Sequence, residues 1–246
     1  MKRSRFSVRA IAFLLLCLVL FTACASKGAV TLKYENGAYR NAEKGMAFLC
    51  APICYRASSA RVSEGAVAVL VSDYADNKYL YAIDNADSAK WLSTEDFTLY
   101  CAEGILLPSL AQMQPTLITN AQAGFGVSVI NDELIIADIV ETYEKGTTVP
   151  RAKIIPPVDE RYEMVFSSDI YKGVLYVLEC WRFTEDVKVY AKLTADGSVP
   201  DYYPGIQAEI VNGEAVFNLG KTLIYDRAAD TCYPIGSSYN DYFPIE

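Results

Sequence analysis

DELIIADIVETYEK, residues 132–145, is the stretch that decides the fold class of this chain. Its apolar residues recur at intervals of three and four, the period of an amphipathic α-helix; they are Leu134, Ile135, Ile136, Ile139, Val140 and Tyr143. Asn131 or Asp132 supplies an N-cap, and Lys145 followed by Gly146 is typical of a helix end. The pattern predicts a helix over Asp132–Lys145, with a β-hairpin that turns at Asn131-Asp132 as the alternative.

Outward from this helix, most of the chain is typical of short β-strands separated by turns. Asn36-Gly37 and Asn212-Gly213 each separate two β-like runs, and Asn-Gly favours a two-residue hairpin because both residues tolerate positive φ. We therefore expect an α+β fold that is predominantly antiparallel β, in which the helix packs on a C-terminal antiparallel sheet. The alternative is an all-β, five-bladed propeller-like fold, since β-like groups recur about every 40 residues.

A short helix is predicted near the middle of the chain, at Pro108–Met113, with proline in its first turn and Pro115 just beyond its end. We place a domain boundary there. Residues 30–107 are expected to form an antiparallel, β-rich N-terminal domain, and residues 116–246 an α+β C-terminal domain. Within the first of these, Asp87 is expected to cap one helical turn that carries Trp91.

The first 23 residues have the features of a secretory signal peptide. Lys2, Arg3, Arg5 and Arg9 form a positive head, and an unbroken apolar run of twelve residues follows over 10–21. A helix needs about 20 residues to cross the hydrocarbon core of a bilayer, so this run is too short to be a membrane span. The pattern predicts a leader that directs export.

At the end of this leader, Phe21-Thr22-Ala23-Cys24 places two small residues directly before a cysteine. This order resembles the lipobox of bacterial lipoprotein precursors, with phenylalanine where leucine is usual. The resemblance, which covers only the N-terminal segment, implies cleavage after Ala23, a lipid on Cys24, a tether over residues 24–29, and localisation in the bacterial cell envelope on the extracytoplasmic side of a membrane. Ordinary secretion is the alternative, since Ala23-Cys24-Ala25 also fits an A-x-A cleavage site.

Charge and composition exclude several classes of function. The chain has 22 Lys and Arg against 30 Asp and Glu, and removal of the four leader cations leaves 18 against 30, a formal charge of −12. Nucleic acid would repel such a surface, so we expect no nucleic-acid partner. Histidine is absent, which excludes Ser-His and Cys-His nucleophile pairs and imidazole metal ligands. No glycine-rich nucleotide motif occurs, and we expect neither a metal nor a cofactor.

The mature part contains five cysteines besides Cys24, and four of them lie in apolar β-like runs, which is typical of buried thiols. Five in a chain of this length do not make a disulfide scaffold, and an odd number cannot pair completely. We expect free, buried thiols, with one or two disulfides as the alternative. The five are Cys50, Cys54, Cys101, Cys180 and Cys232.

Glu179 is the carboxylate that the pattern singles out as a candidate catalytic acid. Alternation along the predicted strand Leu175–Phe183 places it on one face with Trp181. A carboxyl group among such neighbours has its pKa raised by desolvation, which a general acid requires. The alternative is a partly exposed face, or an ion pair with Arg182 or Arg227.

Tyrosine is the residue type in excess, with 18 in the chain. Tyrosine and tryptophan combine a flat apolar face with a hydrogen-bonding tip, which suits binding surfaces. The alternative role for such residues is to cover the edge of a sheet. The candidate ligand-binding residues are Tyr202, Tyr203, Tyr239, Tyr242 and Trp91.

These patterns predict a membrane-anchored extracytoplasmic lipoprotein that acts as a non-catalytic binding or scaffolding module for a protein, peptide or cell-wall glycan. The alternative is a carboxylate-dependent hydrolase at the cell surface. A pocket that holds Glu179 beside a second acid would favour the hydrolase. A shallow aromatic patch, with Glu179 exposed or ion-paired, would favour binding.

Overall fold

A computed structural model describes residues 28–73, 75–122 and 125–242. The predicted signal peptide, Cys24 and most of the predicted tether lie outside these residues. The chain forms two compact units. In the first, residues up to Ala51 associate with Ala57–Ile105, and in the second, Pro52–Arg56 associate with Leu106–Glu246. A short piece of the N-terminal half therefore belongs to the C-terminal unit, which the predicted boundary between residues 107 and 116 does not allow for.

The described elements are mostly short strands. In chain order the strands and α-helices are β1 (Val30–Glu35), β2 (Ala38–Asn41), β3 (Met46–Cys50), β4 (Tyr55–Ala57), β5 (Ala68–Ser72), β6 (Ala75–Leu80), β7 (Trp91–Ser93), β8 (Leu99–Ala102), α1 (Leu110–Met113), β9 (Leu117–Gln122), β10 (Phe125–Ile130), α2 (Glu133–Lys145), β11 (Val149–Pro150), β12 (Glu160–Ser167), β13 (Val174–Arg182), β14 (Lys188–Lys192), β15 (Ala208–Val211), β16 (Glu214–Asn218), β17 (Thr222–Asp226) and β18 (Thr231–Pro234). Short 3-10 helices occupy Ala42–Lys44, Val62–Glu64, Arg151–Lys153 and Ser237–Tyr242.

The first unit contains a seven-stranded sheet with the order β6-β5-β1-β2-β3-β8-β7. Its neighbours pair antiparallel, apart from β1 and β5, which run parallel. Parallel neighbours require a long connection, which β2, β3 and the chain after them provide. This pair departs from the antiparallel pattern predicted for the N-terminal domain.

Both Asn-Gly dipeptides turn hairpins, as predicted. β1 and β2 pair directly across Asn36-Gly37, and β15 and β16 pair across Asn212-Gly213. The φ angles are 51° and 84° in the first turn and 53° and 82° in the second. A two-residue turn of type I′ needs positive φ at both central residues, which explains why this dipeptide marks the hairpins so clearly.

Trp91 lies in a strand, which corrects the helical turn predicted after Asp87. The N–H groups of Lys90 and Trp91 donate to the Asp87 carbonyl and make a single turn. β7 then pairs with β8, and Leu92 is fully buried. Sheet pairing and burial therefore override the local capping signal. One buried cluster of this unit contains Leu32, Phe48, Ala68, Leu70, Leu80, Leu92 and Tyr100.

The second unit is built on a large sheet with the order β10-β9-β12-β13-β17-β18-β11. Its consecutive strands pair antiparallel. The segment Pro52–Arg56 joins this sheet beside β13, where the Val177 N–H donates to the Cys54 carbonyl at 2.7 Å. A separate three-stranded sheet has the order β14-β16-β15. One buried cluster includes residues of both sheets, among them Trp181, Leu223 and Phe217.

The predicted amphipathic helix is confirmed as α2. Asp132 is its N-cap, and one carboxylate oxygen of Asp132 accepts the N–H groups of Leu134 and Ile135. Ile136 and Ile139 are buried, whereas Leu134 is 82 % exposed, so the buried stripe is narrower than the apolar pattern predicts. The hydroxyl of Tyr143 lies 3.0 Å from that of Tyr176 in β13, which places α2 against the large sheet.

The 3-10 helix Ser237–Tyr242, which sequence reasoning did not predict, is bound to the same sheet. Asn240 Oδ1 accepts from Arg182 Nη1 at 2.6 Å and from Thr222 Oγ1 at 2.7 Å. Arg182 is only 6 % exposed. These hydrogen bonds offset the cost of removing its charge from water.

The α+β class, predominantly antiparallel β, is confirmed. The propeller alternative is wrong, because a propeller consists of repeated four-stranded blades, whereas the described strands form sheets of seven, eight and three strands. Among the described helices, none has both the length and the apolar character needed to cross a membrane.

The five described cysteines are all free thiols, but only three are buried. Burial raises the pKa of the Cys180 thiol, and it raises the pKa of Cys232 to about 12. Cys50 is exposed and Cys54 is half-buried, which corrects the expectation that these two lie in the core. Cys50 is the last residue of β3, and its side chain is exposed at the end of that strand.

The N-cap of α2 provides a first test of the fold. We expect Asp132→Ala to lower the free energy of unfolding by about 1 kcal/mol, because two N–H groups of the first turn lose their acceptor. Asn131→Ala, which removes the rival N-cap candidate, should change it by less than about 0.5 kcal/mol. Urea unfolding of both variants measures the difference, and equal losses would contradict the assignment of the cap.

Thiol accessibility provides a second test. In native protein treated with iodoacetamide, we expect Cys50 to be alkylated first and Cys54 more slowly. Cys101, Cys180 and Cys232 should react only in denaturant, because burial both shields these thiols and raises their pKa values. Peptide mass mapping identifies which cysteine has reacted. Alkylation of Cys180 in native protein would contradict its burial in the core of the large sheet.

Candidate functional site

A cleft of about 530 Å³ opens on the large sheet of the second unit. This volume is within the usual range of pockets that hold small ligands. The lining residues come from Pro52–Arg56, β9, β12, β13, and β17 with the turn that follows it. The charged side chains among them are Arg56, Arg161, Glu163, Glu179, Asp226 and Arg227.

Alternation along β12 and β13 explains why these side chains meet in the cleft. Alternate residues of β13 from Val174 to Cys180 are buried, and Glu179 lies on the other, partly exposed face. In β12, Glu163 likewise lies between the buried Tyr162 and Met164. Glu163 and Glu179 are directly opposed in the register of the two strands. Their side chains therefore point to the same face of the sheet.

Glu179 is paired with two arginines and one indole. The Trp181 Nε1–H donates to Oε1 at 2.7 Å. Arg161 Nη1 lies 3.7 Å from Oε1, and Arg227 Nη2 lies 3.5 Å from Oε2. Only 18 % of the Glu179 side chain is exposed, against 61 % for Arg161 and 63 % for Arg227. The carboxylate thus lies at the base of the cleft, with the two guanidinium groups closer to solvent.

Trp181 is held in place by contacts on its ring. The Tyr225 ring stacks on it with centroids 4.2 Å apart and an interplanar angle of 27°. The guanidinium carbons of Arg151 and Arg161 lie 4.9 Å and 5.4 Å from its ring centroid, within the range of a cation–π contact. This packing orients the indole N–H toward Glu179.

Glu163 is bound by Arg56 through two hydrogen bonds of 2.8 Å, one to each carboxylate oxygen. These bonds lower the pKa of the Glu163 carboxyl, and the positive charge of Arg227 lowers it further. The same hydrogen bonds raise the pKa of Arg56. Glu163 is therefore kept ionised.

The prediction that Glu179 lies on a partly exposed face and pairs with Arg227 is supported by these contacts. Arg182, the other predicted partner, instead contacts Thr222 and Asn240. A general acid must carry a proton before it reacts, whereas an ion pair requires the ionised carboxylate. Glu179 is contacted by two arginines and an indole N–H, and it does not have the purely apolar surroundings on which its predicted catalytic role was based.

The predicted aromatic residues do not line this cleft. Tyr202 is 64 % exposed, whereas Tyr203 is 8 % exposed and packs edge-on against Phe217 with centroids 4.9 Å apart. Trp91 lies in the first unit and is also 8 % exposed. Of these three residues, only Tyr202 presents most of its ring to solvent.

The two predicted tyrosines of the tail help to attach it. Tyr239 is buried, and its hydroxyl donates to Asp138 in α2. Tyr242 is half-buried, and its carbonyl accepts the Ser128 hydroxyl at 2.7 Å. Both contacts fit the alternative role of covering the sheet, rather than a free binding surface.

Arg56, Arg161 and Glu163 were missed by sequence reasoning. For the two residues of β12 a signal exists, since Arg161 and Glu163 alternate with buried Tyr162 in a period-two pattern. Arg56 has no such signal, because it is 107 residues from its partner in sequence. Only the tertiary fold brings it to the cleft.

Comparison with known proteins identifies no relative. No family model matches the chain, and searches of curated proteins and of solved structures find no significant match. In the described part of the chain, no group of three or more Cys, Asp or Glu residues is arranged to hold a metal ion.

The Arg56–Glu163 pair has a predictable pH dependence. Its partners are 37 % and 46 % exposed, so after allowance for solvent screening we expect Arg56→Met to lower the free energy of unfolding by about 0.5 kcal/mol at pH 7. Because the pKa of Glu163 is lower in the folded than in the unfolded chain, the stabilisation is complete above the ordinary pKa of about 4.3 and is lost as the pH falls through the folded value.

Urea unfolding of the unaltered protein and of Arg56→Met at pH 7 and at about pH 3 measures this effect. The difference between the two proteins should be smaller at the lower pH. A deficit of the same size at both pH values would mean that Arg56 stabilises the fold through packing of its alkyl chain rather than through its charge.

Proposed function

We propose that the protein is a lipoprotein of the bacterial cell envelope, anchored on the extracytoplasmic side of a membrane through a lipid on Cys24, and that its second unit binds a ligand without catalysing a reaction. The ligand is an extracytoplasmic protein, peptide or cell-wall glycan. No nucleic acid is involved, because the chain is acidic.

The anchor is supported by the leader. A positive head, an apolar run of twelve residues and the Phe21-Thr22-Ala23-Cys24 sequence match the order of features in lipoprotein precursors. Each methylene of an acyl chain that enters the bilayer contributes about 0.8 kcal/mol, so two or more chains on one cysteine hold a protein stably. The tether over residues 24–29 is short, which keeps the folded part near the membrane surface.

The non-catalytic role is supported chiefly by the pairing of the two cleft glutamates with arginines. Glu163 is bound by Arg56, and Glu179 is paired with Arg161 and Arg227. Both carboxylates are thereby engaged as acceptors. Such an arrangement suits recognition of a charged ligand, because guanidinium groups and carboxylates that are already oriented need little reorganisation on binding.

A hydrolase is the second candidate, favoured by one observation. Glu163 and Glu179 are directly opposed on neighbouring strands, where Cβ atoms are about 4.5–5.5 Å apart. The two carboxyl groups of retaining glycosidases are about 5–5.5 Å apart. One of them must be protonated to donate to the leaving group, and the lowered pKa of Glu163 and the ion pairs of Glu179 oppose this. We therefore rank binding first.

Membrane retention tests the anchor. We expect Cys24→Ala to abolish lipidation in the native host and to move the mature protein out of the detergent phase of a Triton X-114 partition. Cys17→Ala is the matched control, because Cys17 lies inside the apolar run that cleavage removes. That variant should stay lipidated and membrane-bound. Mass spectrometry of the N-terminal peptide reads the modification directly, and an unmodified Cys24 in protein from its own host would refute the anchor.

A further inference from the structure

Two arginines in the cleft share a single carboxylate. Arg161 and Arg227 each approach Glu179 through one nitrogen, at 3.7 Å and 3.5 Å. The shortest contact to Glu179 comes instead from the Trp181 indole, at 2.7 Å. A guanidinium group presents five N–H donors, so one carboxylate does not saturate two of them. Two guanidinium groups therefore share one carboxylate and retain donors that Glu179 does not use.

The neighbouring acids are engaged with other groups. Glu163 is bound through both oxygens by Arg56. Asp226 Oδ1 accepts the N–H groups of Ala228 and Ala229 at 2.8 Å and 3.2 Å, and its Oδ2 accepts the Tyr143 hydroxyl at 3.0 Å. These contacts occupy the oxygens of both carboxylates, so neither forms a hydrogen bond with Arg161 or Arg227 among the described contacts, and the two guanidinium groups keep N–H donors for a ligand.

The two guanidinium groups are accessible from the cleft. The side chains of Arg161 and Arg227 are more than half exposed, while Glu179 beneath them is largely covered. Apolar groups lie beside them, since the cleft is also lined by Ile53, Val177 and Ala228, and Ile53 is 63 % exposed. A ligand that joins an anionic group to an aliphatic group matches both features.

We propose that the cleft binds the C-terminal carboxylate of an apolar peptide, with Arg161 and Arg227 as its hydrogen-bond donors. Glu179 is a positioning residue that holds the two guanidinium groups side by side. A carboxylate is planar and has two acceptor oxygens, which matches the fork of an arginine. Terminal carboxylates are a recurrent target of peptide recognition, and a cleft of about 530 Å³ suits a few terminal residues. This inference rests on the proposed binding function and names the ligand class of the same site.

The test compares two probes that differ only in the terminal group. N-acetyl-valyl-leucine with a free carboxylate and its C-terminal amide are titrated by calorimetry into the mature lipidated protein in detergent micelles. We expect the acid to bind at least about tenfold more tightly than the amide. This preference should shrink as salt is added, because the guanidinium groups are exposed.

Variants locate the interaction. Arg161→Gln and Arg227→Gln should each lower the affinity for the acid toward that of the amide and leave the amide unaffected. Arg40→Gln makes the same change of charge at an arginine of the first unit that pairs with Glu103, and it should keep the full preference for the acid. If a cleft variant fails to fold, the comparison of the two probes and the salt titration on unaltered protein still decide the question.

Three results would overturn the carboxylate assignment. They are equal affinity for acid and amide, a preference for the acid that survives both cleft variants, and no binding of either probe at about 10 mM. Equal affinity leaves a ligand-binding cleft in place and removes only its specificity for a carboxylate. Cleavage of the probe, detected by mass spectrometry after incubation, would instead refute the proposed non-catalytic function.

Discussion

The register of β12 against β13 is the constraint on which the cleft depends. It sets Glu163 opposite Glu179, and like charges directly opposed on neighbouring strands destabilise a sheet. Arg56 binds one of these carboxylates, and Arg161 and Arg227 flank the other. The arginines therefore reduce this repulsion, whether or not a ligand is present. The same compensation places two guanidinium groups beside one carboxylate, so groups that stabilise the sheet also supply hydrogen-bond donors for a ligand.

Much of the fold was predictable because its strongest signals are local. The helix over 132–145 has a complete apolar stripe and both end signals, and both Asn-Gly hairpins depend only on the φ angles of two residues. The failures occurred where distant pairing decided the outcome. The parallel pairing of β1 with β5 and the strand conformation of Trp91 both depend on partners that no local pattern identifies.

The candidate site was predictable only in part, for the same reason. Alternation singled out Glu179, and charge pairing named Arg227 as one partner, but Glu163 and Arg56 are contributed by other parts of the chain. The aromatic candidates illustrate the opposite error. Tyr203 and Tyr239 were selected by residue type, yet their rings are buried against other side chains. Residue type predicts what a side chain is able to do, whereas only tertiary packing decides whether it is accessible.

The second unit is formed by two separate stretches of the sequence, so a single cut cannot separate the chain into its two units. Pro52–Arg56 leaves the ribosome well before Leu106–Glu246, with which it associates, so the large sheet is complete only late in synthesis. A fragment that starts at Leu106 lacks Arg56, so Glu163 loses its guanidinium partner. The fragment also lacks the Cys54 carbonyl, which accepts the Val177 N–H in the complete chain. Gene fusion or recombination at residue 106 would therefore yield a second unit that lacks the segment Pro52–Arg56 of its sheet. We expect the two units to be inherited together for this reason.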